Sequence, residues 1–155
     1  MSEKGSNFNF NDGKEERILV CITAQENSKR LISRAADIAD LCDGELHIIH
    51  VQNKDNIFGK GSDMELLQKL FVYGSEKGGM VHFCCYENID ECIGRLTKDM
   101  DITKIVFGQS SENVMLSREV ILEKLNQVLK YVSKSVEIIA IPKQDGIEDI
   151  RIKRN

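Results

Sequence analysis

The chain has 155 residues, with 21 Lys and Arg against 25 Asp and Glu, so its formal net charge is −4. Hydrophobic residues make up 41% and charged residues 30%, which is typical of one globular domain rather than a disordered chain. The acidic balance argues against a general nucleic-acid binder, which needs a basic surface. No apolar run approaches the roughly 20 residues that span a bilayer, and the opening residues lack the apolar segment of a signal peptide. We therefore expect a cytoplasmic protein without nucleic-acid or membrane partners.

Both ends of the chain differ in composition from its middle. Residues 1–16 are polar and rich in Asn, Gly and Ser, which predicts a flexible N-terminal arm. Residues 17–142 form the predicted domain. Residues 143–155 follow the single proline, Pro142, and alternate charge with isoleucine. We interpret them as a C-terminal tail that docks either on the domain or on a partner.

Short β-branched runs alternate with helical periodicity along the domain. The second predicted helix follows an S-x-x-E capping box at Ser62 and Glu65, and the third follows Asn88 with Glu91. Asn27 or Ser28 is the predicted cap of the first, and the fourth covers Glu119–Val132. The predicted strands are Arg17–Thr23, Glu45–Val51, Met80–Tyr86, Thr103–Gly108 and Val136–Ile141. This βαβαβαβαβ order predicts an α/β fold with a parallel sheet between two helical layers.

A parallel sheet of this type predicts where a ligand binds. Ligands lie beyond the carboxyl ends of the strands, at the point where the strand order reverses. The relevant loops are Thr23–Ser28 and Gly108–Ser117, which are rich in hydroxyl and amide side chains and precede helices whose N-termini favour anions. The same residue types also serve as ordinary caps and turns. The candidate ligand-binding residues are Thr23, Ala24, Gln25, Asn27, Ser28, His50, Val51, Gly108, Gln109, Ser110 and Ser111.

No catalytic or metal-binding pattern emerges from the sequence. It lacks a G-x-S-x-G elbow and a P-loop. His82 and Cys84 share one strand face but have no further ligands at a metal-site spacing, and Cys85 points to the other face. The five cysteines form no C-x-x-C pair, so we expect reduced thiols. We predict a protein that is not an enzyme and holds no metal. A weak nucleotide hydrolase is a third hypothesis, ranked after a signalling domain and an interaction module.

Two segments resemble the universal stress protein family. The run ERILVCITAQENSKRLISRAADIADLCDGELHIIHV resembles the first half of that domain, and DITKIVFGQS resembles its fourth strand and the following loop. The nearest variant is the universal-stress-like domain of Kdp-type potassium-sensing histidine kinases, which shares the ERILVC opening, an RLI-x-RAA helix and a TKIV-x-G-x-S strand. The resemblance covers about residues 15–142.

The resemblance implies a three-layer, Rossmann-like sandwich of the adenine nucleotide alpha hydrolase type. Its sheet has five parallel strands in the order 3-2-1-4-5. Many members of the family dimerise through the last strand. Val136–Ile141 is apolar and would be an exposed edge in a monomer, which is hazardous. We therefore expect a homodimer across this strand.

The family motifs also bear on the ligand. ATP-binding members carry an Asp at the end of strand one and a G-x2-G-x9-G-[S/T] pattern after strand four. Here the corresponding positions hold Thr23, Ser111 and Ile121, so the glycine bed for a triphosphate is missing and we do not expect ordinary ATP binding. Some Kdp-type domains recognise cyclic di-AMP through positions that match Thr23–Gln25 and Leu46–His50.

The resulting hypothesis is a non-enzymatic stress-response or signalling domain. It would bind an adenine nucleotide (AMP, ATP or cyclic di-AMP) in the cleft after strands one and four. The alternative is a ligand-free interaction module related to a Kdp sensor-kinase input domain, whose partner is a sensor kinase or another signalling protein.

Overall fold

The fold was analysed in a computed structural model, which describes residues 16–53, 61–109, 117–130, 132–143 and 146–154. The predicted arm therefore lies outside the described residues, except for Glu16. The strands are β1 (Arg17–Cys21), β2 (Glu45–Asn53), β3 (Met80–Tyr86), β4 (Lys104–Gly108), β5 (Val136–Ile141) and β6 (Ile150–Arg154). The helices are α1 (Asn27–Leu41), α2 (Gly61–Glu76), α3 (Ile89–Asp99) and α4 (Arg118–Val128).

The sheet has the predicted α/β topology with one additional strand. Its order is β3-β2-β1-β4-β5-β6; the first five strands run parallel and β6 runs antiparallel to β5. The predicted order 3-2-1-4-5 is therefore confirmed. The bounds of β3 and β5 agree with the predicted strands, whereas α4 ends at Val128, four residues before the predicted end.

Burial on both faces explains why the central strands are continuously apolar. Ile18 and Val20 of β1 pack in a core with α1 and α2, while Leu19 packs in a second core with α3 and α4. All three are 0% exposed. A strand covered by helices on both faces has no solvent-facing position, so it lacks the polar alternation of a surface strand.

The C-terminal residues dock on the domain rather than remaining a separate tail. β6 completes the sheet beside β5, and Ile152 is buried in the core beneath α4. The Arg154 guanidinium donates to the carbonyls of Leu129 and Val132. An ion pair between Arg34 and Asp149 ties the preceding turn to α1.

The position of β6 corrects the basis of the predicted dimer. Val136–Ile141 pairs with β4 on one side and with β6 on the other, so this strand is not an exposed edge. Its apolar residues are protected within the chain itself. A second copy cannot pair with this strand while β6 is in place.

The helix caps agree with the sequence in part. The Asn88 side chain caps α3 as predicted, accepting from the Glu91 backbone N–H at 3.0 Å. For α1 the prediction was wrong: the cap position is Glu26, which makes no side-chain cap bond. α2 begins at Gly61, and the side chain of Ser62 lies outside the described residues.

In the part of the chain that the structure describes, no helix is both long enough and apolar enough to cross a bilayer.

A close helix crossing gives a test of the packing between α3 and α4. A Cβ atom added to Gly94 would collide with the backbone carbonyl oxygen of Val128. We expect Gly94→Ala to lower the free energy of unfolding by about 1–3 kcal/mol because the helices must separate, although alanine favours a helix by about 1 kcal/mol. Lys98→Ala on the exposed face of α3 is the control, and denaturant unfolding is the measurement. An equal effect of both substitutions would contradict the close crossing.

Candidate functional site

A cleft of about 450 Å³ opens at the carboxyl ends of β1 and β4. Its walls come from the loop after β1, the ends of β2, β4 and β5, and the facing sides of α3 and α4. A volume of this size suits a small organic ligand. The lining residues are Cys21, Ile22, Thr23, Gln25, Asn27, Leu31, Ile49, Val51, Ile89, Ile93, Phe107, Gly108, Gln109, Val120, Ile121, Lys124, Ile138 and Ala140.

The structure brings six of the eleven predicted residues to this cleft. They come from both loops that the topology indicated and from the end of β2. The six are Thr23, Gln25, Asn27, Val51, Gly108 and Gln109. Ser110 and Ser111 lie outside the described residues. That any of these residues contacts a ligand remains a prediction.

Three predicted residues do not line the cleft. Ala24 is in the loop but is not part of the wall. Ser28 is buried, and its hydroxyl donates to the Thr23 carbonyl at 2.6 Å and accepts from the Thr23 N–H at 3.2 Å. Ser28 therefore holds the backbone of the loop after β1 in place and does not line the cleft.

His50 lies on the opposite face of the sheet. Its Nδ1 is 3.0 Å from the Ile22 carbonyl and its ring packs against Phe83, which in turn contacts Phe71 of α2. The cleft lies on the side of α3 and α4. Side chains alternate between sheet faces, so Val51 reaches the cleft and His50 does not.

Gly108 at the end of β4 packs closely against α1. A Cβ atom on Gly108 would lie 2.7 Å from Cδ1 of Leu31, so a larger residue there would displace the end of the Leu31 side chain. The next residue, Gln109, ties β4 to β5: its N–H donates to Ile141 O at 3.1 Å, and its Oε1 accepts from the Lys143 N–H at 3.2 Å. Gly108 therefore has a packing role beside the cleft, which the family pattern alone would not indicate.

The apolar wall of the cleft was not predicted from the sequence. Ile93 and Ile121 pack in the core with α3 and α4 and also line the cleft. Ile121 occupies the position where the family pattern has its third glycine. The apolar side chain at this position agrees with the absence of a glycine bed for a triphosphate.

Lys124 is also a lining residue that the sequence analysis did not select. Its ammonium is 2.6 Å from Oδ1 of Asp90 on α3 and 5.2 Å from the centre of the Phe107 ring. Among the lining residues that the structure describes, it is the one with a charged side chain. The helical spacing of three from Ile121 was the signal that could have placed it on the cleft wall.

Burial at the cleft floor keeps Cys21 protonated. Burial raises the pKa of its thiol to about 12, and Lys124 opposes that shift only in part. A thiol is nucleophilic as the thiolate, so Cys21 acts as an apolar wall residue. All five cysteines are free thiols in the structure.

The histidine pair at the amino end of the sheet is separate from the cleft. His47 Nδ1 is 3.1 Å from His82 Nε2, and His47 Nε2 is 3.2 Å from Glu45 Oε1. Burial, and then the neighbouring His47, lowers the pKa of His82 below its usual 6.5. Within the described ranges, no three His, Cys, Asp or Glu side chains are arranged to hold a metal ion.

Comparison with known proteins gives a family match for part of the chain and solved structures with the same fold. Residues 15–78 match the sequence model of the Universal stress protein family. Sensor protein KdpD from two strains of Mycobacterium tuberculosis is 25% identical over 95 residues, which are 61% of this chain and 11% of the relative. The chain thus spans about a tenth of the length of the curated relatives it matches.

Solved structures share the fold. A universal stress protein in complex with cAMP has a TM-score of 0.57 at 13% identity, over 85% of this chain and 100% of that one. A universal stress protein from Archaeoglobus fulgidus in complex with dAMP has a TM-score of 0.53 at 17% identity, over 82% of this chain and 96% of that one. The resemblance stated from the sequence is confirmed by the family match over residues 15–78, and these structures show that the fold is shared.

The histidine pair predicts how stability depends on pH. Because the folded protein lowers the pKa of His82, protonation favours the unfolded chain, and stability falls as the pH drops below about 6.5. We expect the melting temperature to fall less between pH 7.5 and 5 in His82→Gln than in the parent protein. Between pH 7.5 and 8.5 the difference between the two proteins should stay constant, since His82 is neutral in both states. Parallel acid-side profiles would contradict the prediction.

Proposed function

We propose that this protein is a non-enzymatic signalling domain that binds an adenine nucleotide in the cleft after β1 and β4. The observation that carries the proposal is the open cleft of about 450 Å³ at the strand ends, where doubly wound sheets bind ligands. The related structures in complex with cAMP and dAMP support this ligand class.

The chemistry of the walls favours a nucleotide with little charge. Ile89, Phe107 and Val120 offer apolar surface for a purine ring, and Thr23, Gln25 and Asn27 offer groups that hydrogen-bond. One lysine, already paired with a carboxylate, is a weak counter-charge for a triphosphate. AMP, cyclic AMP and cyclic di-AMP are therefore better candidates than ATP.

A cleft-filling substitution tests this proposal. Val120 on α4 lines the cleft and is 43% exposed, so tryptophan can enter the open volume without displacing the core. We expect Val120→Trp to weaken AMP or cyclic AMP binding at least about 10-fold. Calorimetry measures the affinity. A thermal shift checks it, because ligand at 100 times Kd adds about 2.7 kcal/mol of stability.

Leu122→Trp is the matched control. Leu122 is on the same helix and is 41% exposed, but it does not line the cleft. This variant should bind the nucleotide as the parent protein does. Equal losses in the two variants, or no binding of any of these nucleotides to the parent protein, would overturn the proposal.

A second candidate function, an interaction module, is favoured by the composition of β3. This strand is an edge of the described sheet and carries no Lys, Arg, Asp, Glu or Pro. Charged residues normally protect an edge from pairing, and at the opposite edge β6 has Arg151 and Lys153 exposed. Met80 and Phe83 are also exposed on β3. Binding of a sensor kinase or another signalling protein belongs to this hypothesis.

We propose a second copy of the chain as the occupant of this edge. Lys77 precedes β3 and Glu87 follows it, and both are exposed. Antiparallel pairing of two copies of β3 brings the start of one strand to the end of the other. Lys77 of each copy then approaches Glu87 of the other, whereas parallel pairing would bring like charges together.

Charge reversal tests this arrangement. Lys77→Glu and Glu87→Lys should each raise the dimer dissociation constant about 3- to 10-fold, because each places like charges opposite one another at two symmetric contacts. The double variant should restore association to within about twofold. Sedimentation equilibrium measures all four proteins. A monomeric parent protein, or a double variant as weak as the singles, would contradict the model of the dimer.

A further inference from the structure

The pair formed by Lys124 and Asp90 lies beside the cleft, which Lys124 lines and Asp90 does not. Lys124 is on α4 and Asp90 is in the first turn of α3, so their contact at 2.6 Å joins the two helices that form one wall. Their side chains are 40% and 30% exposed, respectively. Solvent and dissolved anions therefore reach the pair, but much of its hydration is already lost.

The contacts of Lys124 fix where its charge lies. The ammonium is 5.2 Å from the centre of the Phe107 ring, at the end of β4. An attraction of this type holds a cation over an aromatic face. Both charges act on Cys21, which lines the cleft: Lys124 lowers the pKa of its thiol and Asp90 raises it. The two opposite charges thus act in opposite directions on the interior of the cleft.

The closeness of these opposite charges has a chemical consequence for an anionic ligand. An ammonium has three donors and can bond to a phosphate oxygen while it faces Asp90. The carboxylate repels the same phosphate, and the repulsion grows with the ligand's negative charge. The pair therefore attracts a phosphate group weakly and opposes a polyphosphate.

We propose that Lys124 binds the phosphate of the nucleotide and that Asp90 sets the selectivity of the site for ligands of low charge. This inference rests on the proposed function, since it concerns the same cleft. Its ligand class is a nucleoside cyclic or monophosphate. Asp90 competes with the phosphate for Lys124, and so acts against triphosphates.

Four ligands of increasing charge test this inference: adenosine, cyclic AMP, AMP and ATP. Each is titrated by calorimetry into the parent protein, Lys124→Met and Asp90→Asn. We expect Lys124→Met to weaken AMP binding about 10-fold, the usual scale for a hydrogen bond to a charged group, and to leave adenosine binding unchanged. Asp90→Asn should strengthen AMP binding about 3- to 10-fold and ATP binding by a larger factor.

Matched controls lie on the exposed side of α3. Lys98→Met and Glu91→Gln make the same changes of charge on α3 and leave the pair of Lys124 and Asp90 intact. Each should leave the affinities for all four ligands within about twofold. If they reproduce the effects of the cleft variants, the effects come from net charge alone and the inference fails. Lys124→Gln replaces Lys124→Met if the latter does not melt cooperatively.

The outcomes separate this inference from the proposed function. If none of the four ligands binds the parent protein, the proposed function fails and this inference fails with it. If adenosine and AMP both bind but Lys124→Met leaves AMP affinity unchanged, nucleotide binding stands and the role of Lys124 is refuted. If Asp90→Asn weakens AMP binding, Asp90 positions the lysine rather than competing with the phosphate, and the selectivity mechanism is refuted.

Discussion

Burial of β1 on both faces is the constraint from which the rest of the structure follows. Ile18, Leu19 and Val20 have no exposed surface, so helices must cover the sheet on each side. Parallel strands with helical crossovers meet that requirement, and they leave the carboxyl ends uncovered at the point where the chain turns towards opposite neighbours. The cleft is thus a product of the same packing that stabilises the core. It needs no separate scaffold, and its floor consists of core side chains such as Ile49 and Ile138.

The sequence predicted the order of the strands because β-branched runs and helical periodicity are local signals. It did not predict β6: Ile150 and Ile152 alternate with charged residues in a short segment, and only pairing with β5 distinguishes such a segment from a loop. Topology indicated two loops, and the described residues that line the cleft include members of both. His50 was predicted to line the cleft, but it does not. Prediction of the loops did not fix which face of the sheet this side chain takes, and His50 pairs with Phe83 of β3 and packs against its ring on the face away from the cleft. Lys124 escaped notice because a lysine on an amphipathic helix normally faces solvent.

Apolar side chains form much of the cleft wall. A triphosphate is held by many backbone N–H groups that approach through glycines, whereas Ile121 here places a side chain at one of those positions. Recognition of a ligand would depend on contact with a ring and on one balanced ion pair. The free energy of such binding comes mainly from buried apolar area. Both features underlie the proposal that the ligand is a nucleotide of low charge.

The antiparallel direction of β6 has a topological consequence. Arg154, at the end of β6, pairs with Val136 at the start of β5. The backbone of Thr103, just before β4, donates to the Arg17 carbonyl and accepts from the Glu137 N–H, so β1, β4 and β5 all start at the same end of the sheet. The start of β1 and the end of β6 are three strand spacings apart at this end of the sheet, roughly 14 Å. The start of β1 and the end of β6 therefore lie close together, at the end of the sheet that faces away from the cleft. A unit with this arrangement can be inserted into a longer polypeptide, or fused to a reporter at either end, without covering the cleft.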